Sequence, residues 1–283
     1  IASESIEKAI EMNGVAVTQN THAFNIGRKV VADPHWVDTI NLYRSGSLAS
    51  KPILSPEASI LIDSISPDEE LRRILEYRTQ ELIEYQNSSF AKQYIDFVGN
   101  IYEKEKKTRS SSDLTQNVAK YLFKLMATKD EYEVARLSLK AELDTAISQE
   151  FGKSAKINYM LHPPFLKAME NIPVLNMLPG VKSKLALGSW FKVFYVMLKN
   201  MKFLRGTPLD FMAWFSSDVR KADNKALNHY KSILTDNLDE IGNGKYQDLK
   251  EFSVLPDIIR GYEEVRLETM TEYYKKSDNL FKS

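Results

Sequence analysis

Residues 66–85, SPDEELRRILEYRTQELIEY, decide the fold. Leu71, Ile74, Leu75, Leu82 and Tyr85 fall on one stripe of an α-helix. Ser66-Pro67-Asp68-Glu69 reads as its start: a hydroxyl to take an orphan amide, a proline whose fixed φ suits the first helical position, and acid at the positive end. An apolar stripe must be covered by other apolar surface, and the chain downstream supplies it. Phe90, Tyr94, Phe97, Val98 and Ile101 form a second stripe, and Leu114, Val118, Tyr121, Leu122 and Leu125 a third. A mainly α, bundle-like domain is the expected architecture.

The same reading extends outward. Thr207-Pro208-Leu209-Asp210 resembles a second capped start, and the stripe Ala226, Leu227, Tyr230, Ile233, Leu234 and Leu238 stops at Gly242-Asn243-Gly244. A last helix is expected from Tyr262 to about Ser277. Ala155 to Leu161 alternates as a strand does, and Pro163-Pro164 ends it. Trp190 to Leu204, WFKVFYVMLKNMKFL, is the most apolar segment, yet it falls short of the roughly 20 residues a membrane span needs and carries Lys192, Lys199 and Lys202. It reads as a mostly buried helix. Ser45 to Ile65, with Gly46, Pro52 and Pro56, reads as a connection, and Asn171 to Ser189 as a surface excursion. The expected organisation is an N-terminal piece over 1–45, a linker over 46–65 and a helical domain over 66–283.

Composition narrows the function. The 283 residues are 43% apolar, with 13 Phe and 14 Tyr, enough for a substantial core. Lys plus Arg and Asp plus Glu balance at 38 each, so no net field draws the chain to nucleic acid or to an anionic membrane. There are no cysteines, which removes disulfides, zinc thiolate sites and cluster ligation by this chain. The start IASESIEKAI has neither an initiator Met nor a secretory pattern, so a piece of a longer cytoplasmic polypeptide is expected.

Candidate sites are few. His22, His35, His162 and His229 lack metal-ligand spacing, and His162 beside the Pro pair reads as backbone-bonded. Asp130-Glu131 and Glu263-Glu264 read as solvated helix faces, because neighbours on a helix point about 100 degrees apart and share no site. Lys129, Glu133 and Arg136 lie within helical reach, so a surface ion-pair ladder is expected, with a domain interface as the alternative. Arg205 before Gly206-Thr207 suggests an anion pocket, against the plainer reading that Gly206 permits the turn and Thr207 caps the helix. Trp190, Phe191, Phe194 and Trp214 could stack a ligand ring, but their spacing favours core packing. The run Glu103 to Arg109, EKEKKTR, reads as a solvated helix end. No GxGxxG, GxxxxGKS or GDG motif occurs.

Three stretches also carry a resemblance. Lys124-Leu125-Met126-Ala127 with Lys129 to Leu137, then Leu204-Arg205-Gly206-Thr207 with Leu209-Asp210, then Leu255-Pro256 with Ile259-Arg260-Gly261-Tyr262, resemble in order and spacing the C-terminal region of the fused indolepyruvate ferredoxin oxidoreductase family. Gly188-Ser189-Trp190 stands where the family has a GPW-like pattern, and Ala9 to Val17, Ala23-Phe24 and Gly27-Arg28 resemble the tail of its gamma-type α/β region. Residues from about 33 to 67 match loosely. Two places depart: Met160 and His162 replace a His and an Ala near the Pro pair, and Phe211-Met212-Ala213-Trp214 replaces a PFGY-like run.

The resemblance implies a parent enzyme that oxidatively decarboxylates aryl-pyruvates or related 2-oxoacids to acyl-coenzyme A. Its cofactors would be thiamine diphosphate and magnesium, with iron–sulfur clusters a further expectation. Its partners would be ferredoxin, coenzyme A and the upstream catalytic domains of the same polypeptide. Oligomer formation stays open. This chain would hold no cofactor and no catalytic residue, and would pack against or cap those domains. Lys129, Asp130, Arg136, Trp190, Arg205 and Asp210 are the candidate interface or anion-pocket residues, and coenzyme A phosphates near Arg205 and Trp190 are one candidate occupant. The alternative is an independent helical interaction module with no oxidoreductase role.

Overall fold

A computed structural model describes residues 2–33, 53–151, 157–161, 185–210, 212–213, 217–242 and 244–281. His35, His162, the Pro163-Pro164 pair and Trp214 lie outside them. The chain divides into two units, Ile1–Pro52 and Ile53–Ser283. The first holds α1 (Ser3–Asn13) and α2 (Val17–Ala32), packed on each other and bridged by Arg28 and Glu7 at 3.9 Å. Neither helix has a fully buried residue.

The second unit is the expected helical body. Its elements are α3 (Pro56–Asp63), α4 (Glu69–Tyr85), α5 (Ser88–Thr108), α6 (Asp113–Met126), α7 (Glu131–Ser138), α8 (Ala141–Phe151), β1 (Tyr159–Leu161), β2 (Leu185–Leu187), α9 (Lys192–Asn200), α10 (Ser217–Asp236), α11 (Tyr246–Val254) and α12 (Glu263–Phe281). Helix α4 packs against α3, α5 and α6, while α6 also meets α10 and α11, which carry α12. The large core follows from the stripes: Leu71, Leu75, Leu82, Tyr94, Val98, Leu114, Val118 and Leu122 join Tyr230, Phe252 and Tyr273 from the C-terminal helices. Gly99 lets α5 approach the turn after α3, since a Cβ there would sit 2.6 Å from Cγ2 of Ile65.

Where α7 packs on α9, a second, smaller core forms from Tyr132, Ala135, Phe191, Tyr195, Leu198 and Met212. No helix among the described residues is long and apolar enough to cross a membrane.

Several sequence expectations need correction. The cap of α4 is Asp68, whose carboxylate accepts from Leu71 N at 2.9 Å, while Ser66 sits in the preceding turn with φ 45°. The expected linker 46–65 contains α3, because Ser55 caps it through Ala58 N and Pro56 opens it. Pro56, read there as punctuation, is a helix start signal. The stretch 171–189 includes β2, which pairs antiparallel with β1. Residues 190–204 bury only one face: Phe191, Tyr195 and Leu198 are inside, whereas Trp190, Val193, Val196, Met197 and Phe203 are exposed.

Candidate functional site, a charged clasp between two cores

The two cores are joined by charge. At the C-terminus of α4 the last carbonyls have no helical partner. Lys202 Nζ donates to the carbonyls of Ile83 at 3.3 Å and Glu84 at 2.6 Å, and Arg205 Nη1 donates to that of Tyr85. Two cations therefore cap the negative end of α4, where the helix dipole favours them. Arg205 lies 3.7 Å over the Tyr85 ring, and burial pushes that phenol up to about 12.

The rest of Arg205 grips Asp130. Nε meets Oδ2 at 2.6 Å and Nη2 meets Oδ1 at 2.8 Å, with both side chains nearly buried. Asp130 also caps α7 by accepting from Glu133 N at 2.9 Å. Gly206 then turns the chain with φ +75°, and its N–H donates to Asp210. Asp210, 1% exposed, accepts from Tyr132 Oη at 3.0 Å, Ala213 N, Gly206 N and Arg220 Nη1 at 2.9 Å. Arg220 reaches from α10 to Glu131 as well, at 2.9 Å. Burial of Glu131 raises its carboxyl above the usual carboxylate range despite Arg220.

A second network lies one turn along α7. Arg136 holds Glu133 at 2.8 Å, Glu81 at 2.5 Å and Glu84 at 2.6 Å, and Lys140 joins Glu81 at 2.5 Å. Burial pushes Glu81 up, but hydrogen bonds from Lys140 and Arg136 outweigh it and hold the carboxyl below its ordinary value.

Two cavities flank the clasp. One of about 380 Å³ lies between Lys124 to Glu131, Arg220, Asp223, Arg266 and the turn Ile259 to Tyr262. The other, about 420 Å³, lies between Tyr85, Phe90, Leu125, Arg205, Asp210 and Leu227. Arg220, Asp130, Thr128 and Asp223 line both, so the clasp forms the wall between them. Arg266 holds Asp223 at 2.7 Å, and Asp257 holds both Arg260 at 2.5 Å and Lys124 at 3.4 Å. Most of the charges in the cavity walls already have partners.

The structure brings Asp130, Arg205 and Asp210 into this single site, with Lys129 on the rim of the first cavity. Arg136 belongs to the neighbouring network. Trp190 lines neither cavity and stands 67% exposed. The expected ladder is changed in two ways: Lys129 precedes the cap of α7 and takes no part, and the Glu133–Arg136 pair is buried rather than on the surface. Asp130 and Glu131 do share a partner, Arg220, because Asp130 has extended backbone and is outside the helix geometry assumed for it. Thr207 does not cap a helix; its hydroxyl donates to Leu204 O, and the following turn is capped by Asp210. Glu81, Tyr132 and Arg220 are not singled out as site residues in the sequence, and Glu131 reads there as part of a solvated face, since only the fold joins α4, α7 and α10.

Comparison with known proteins gives one relationship. The model of a family of unknown function (DUF6537) matches residues 71–279. No curated protein and no solved structure matches.

Proposed function

This chain belongs to the family of unknown function DUF6537, and from that premise we propose that it is the non-catalytic C-terminal domain of a cytoplasmic indolepyruvate ferredoxin oxidoreductase-like enzyme. One observation carries the reading. Parts of the three separated stretches that resemble the oxidoreductase family meet in space: Lys124 to Glu131, then Arg205, Gly206 and Asp210, then Ile259 to Tyr262 line the clasp and its cavities. Residues that specify a buried, mutually neutralised junction are what a packing domain needs to hold its shape against larger neighbours.

Within this reading, thiamine diphosphate, magnesium and any iron–sulfur cluster are held upstream, and this domain packs on or caps the regions that hold them. Its own charged groups set the angle between the large core and the α7–α9 layer. The α1–α2 pair would be the tail of the gamma-type domain.

Extending the reading frame upstream of Ile1 tests the proposal. A gamma-type domain and a GDG-bearing region are expected. An initiator Met next to Ile1 would overturn the reading in favour of an independent interaction module. Calorimetry on the 283-residue chain supplies a second test: tight binding of thiamine diphosphate with magnesium would contradict the assignment of roles.

A further inference from the structure

The large body is held together in more than one way. Beside its apolar core, the run 103–109, which the sequence suggests is simply solvated, contributes a buried tie. Glu105 accepts from Leu114 N at 3.0 Å, Thr115 N at 2.9 Å, Thr115 Oγ1 at 2.6 Å and Tyr246 Oη at 2.6 Å, so one carboxylate joins α5, α6 and α11. Lys104 adds an ion pair with Asp239 at 2.6 Å. The α7–α9 layer is attached differently. It is one excursion of the chain, leaving the body after Met126 at the end of α6 and returning at Ser217, where α10 begins. Among the described residues its small core shares no member with the large one.

Charge makes the attachment, and its two ends differ. Where the excursion departs and returns, Arg220 in the first turn of α10 grips Glu131 and Asp210, both at 2.9 Å, and Arg205 grips Asp130 and the Tyr85 carbonyl. Departure and return are thereby pinned side by side, which is the topology of a pivot. Farther along α7, Arg136 rests on Glu81 and Glu84 and Lys140 on Glu81, while Lys202 donates to the carbonyls of Ile83 and Glu84. A buried ion pair loses in desolvation much of what it gains by attraction, so it fixes a position more than it adds stability. When the layer lifts, both partners of each pair return to water together, unlike a truncation, which strands one of them. Arg136 keeps Glu133, on its own helix at 2.8 Å, in either position, so the most buried cation of this contact always retains a counter-charge.

We propose that the α7–α9 layer is a hinged unit that swings on the Arg220 and Arg205 contacts when the latch of Arg136 and Lys140 on Glu81 and Glu84 releases, its own small core staying intact. Trp190, Val193 and Met197 stand exposed on this layer, so the swing re-aims an apolar face relative to the large body. The hinge follows from chain topology and charge, and it does not depend on which enzyme the domain serves.

The chain has no cysteine, so engineered cysteines can carry spin labels without background. Three pairs at exposed positions of the full chain test the hinge: Val193→Cys with Glu103→Cys between layer and body, Val193→Cys with Thr145→Cys within the layer, and Glu103→Cys with Asn228→Cys within the body. Thr145 lies on α8, which Asp144 ties to Lys192 of α9 at 2.8 Å. At low salt, double electron–electron resonance should give one distance for each pair, with any longer component of the first below about a tenth. The double substitution E81A/E84A removes the latch acids, and salt at about 1 M shortens the screening length to about 3 Å. Under either condition the first pair should gain a component longer by at least about 5 Å, one helical turn, and making up about half of the population, while the other two pairs keep their distances. Circular dichroism checks that the variant folds, and the salt arm uses the unaltered latch. No longer component under either condition would overturn the proposal. So would a within-layer pair that broadens in step with the first, since the layer would then be melting rather than swinging, or a body pair that does so, since the whole fold would then be loosening.

Discussion

Arg205 and Asp130, 75 positions apart, meet fork to fork at 2.6 and 2.8 Å. Both also serve a helix end, since Asp130 starts α7 and Arg205 finishes α4. The pair therefore ties two helices together, and through them the two cores. Replacing Arg205 by Ala removes both parallel bonds to Asp130, leaving it only Arg220, at 3.8 Å, as a charge partner, and returns the Tyr85 carbonyl to an orphan state. The expected loss is about 3–5 kcal/mol, the range for breaking a buried pair from one side. Arg205→Lys should recover less than half of it, because an ammonium cannot reproduce two parallel bonds while stacked on Tyr85. Urea denaturation of the two variants measures both values, and equal stability of Lys and wild type would contradict the account.

Glu105 offers a sharper test of a single acceptor. A glutamine there has one acceptor oxygen where the carboxylate has two, and it turns donors toward Leu114 N, Thr115 N or Tyr246. Glu105→Gln should cost about 2 kcal/mol or more, whereas Glu103→Gln, at an exposed position of the same helix, should stay within about 0.5 kcal/mol. A difference below about 1 kcal/mol would mean that α6 has another cap.

What the sequence disclosed, and what it hid, divides along one physical line. Periodicity reported the helices that build the large core, since Leu75, Val98 and Leu122 must be inward whatever their partners are. It could not report that Trp190 and Val193 stay outside while Phe191 goes in, because an all-round apolar segment has no polar face to mark its exposed side. Short-range logic also misjudged Asp130-Glu131 and Glu105. A helix-geometry rule fails at a cap, and nothing in the turns adjoining Glu105 announces the α6 amides that it serves. The clasp residues Asp130, Arg205 and Asp210 were visible as local features, but Arg220 and Glu81 became meaningful only through contacts across the fold.

The two faces of α9 and the turn before it predict opposite outcomes for similar substitutions. Phe191→Ala or Tyr195→Ala removes a ring from the smaller core and should cost about 3–5 kcal/mol. Val193→Ser, on the exposed side, should change stability by about 0.5 kcal/mol or less. Thermal unfolding followed by near-ultraviolet circular dichroism distinguishes them, since the affected rings report directly. Comparable losses on both faces would indicate that the outer face is covered.

The acids around the clasp give stability a pH signature whose sign differs by residue. Glu81 is held below its usual range in the folded chain, so its contribution is present above the unfolded value of about 4.3 and is lost as pH falls through the lower folded value. Glu131 and Asp223 are raised by burial, so each binds a proton more readily when folded. Their effect is the reverse: stability rises as pH falls through the raised folded value, until the unfolded value of about 4 is reached. Glu131→Gln and Asp223→Asn should each remove part of that rise, flattening the stability profile just above about pH 4, while Glu81→Gln should reduce stability at neutral pH and soften the acid loss below. Urea midpoints between about pH 7 and 3.5 provide the measurement. An unaltered slope just above about pH 4 in the Glu131 and Asp223 variants would show that their carboxyls titrate alike in the folded and unfolded chains, so that burial beside Arg220 and Arg266 leaves their proton affinity unchanged.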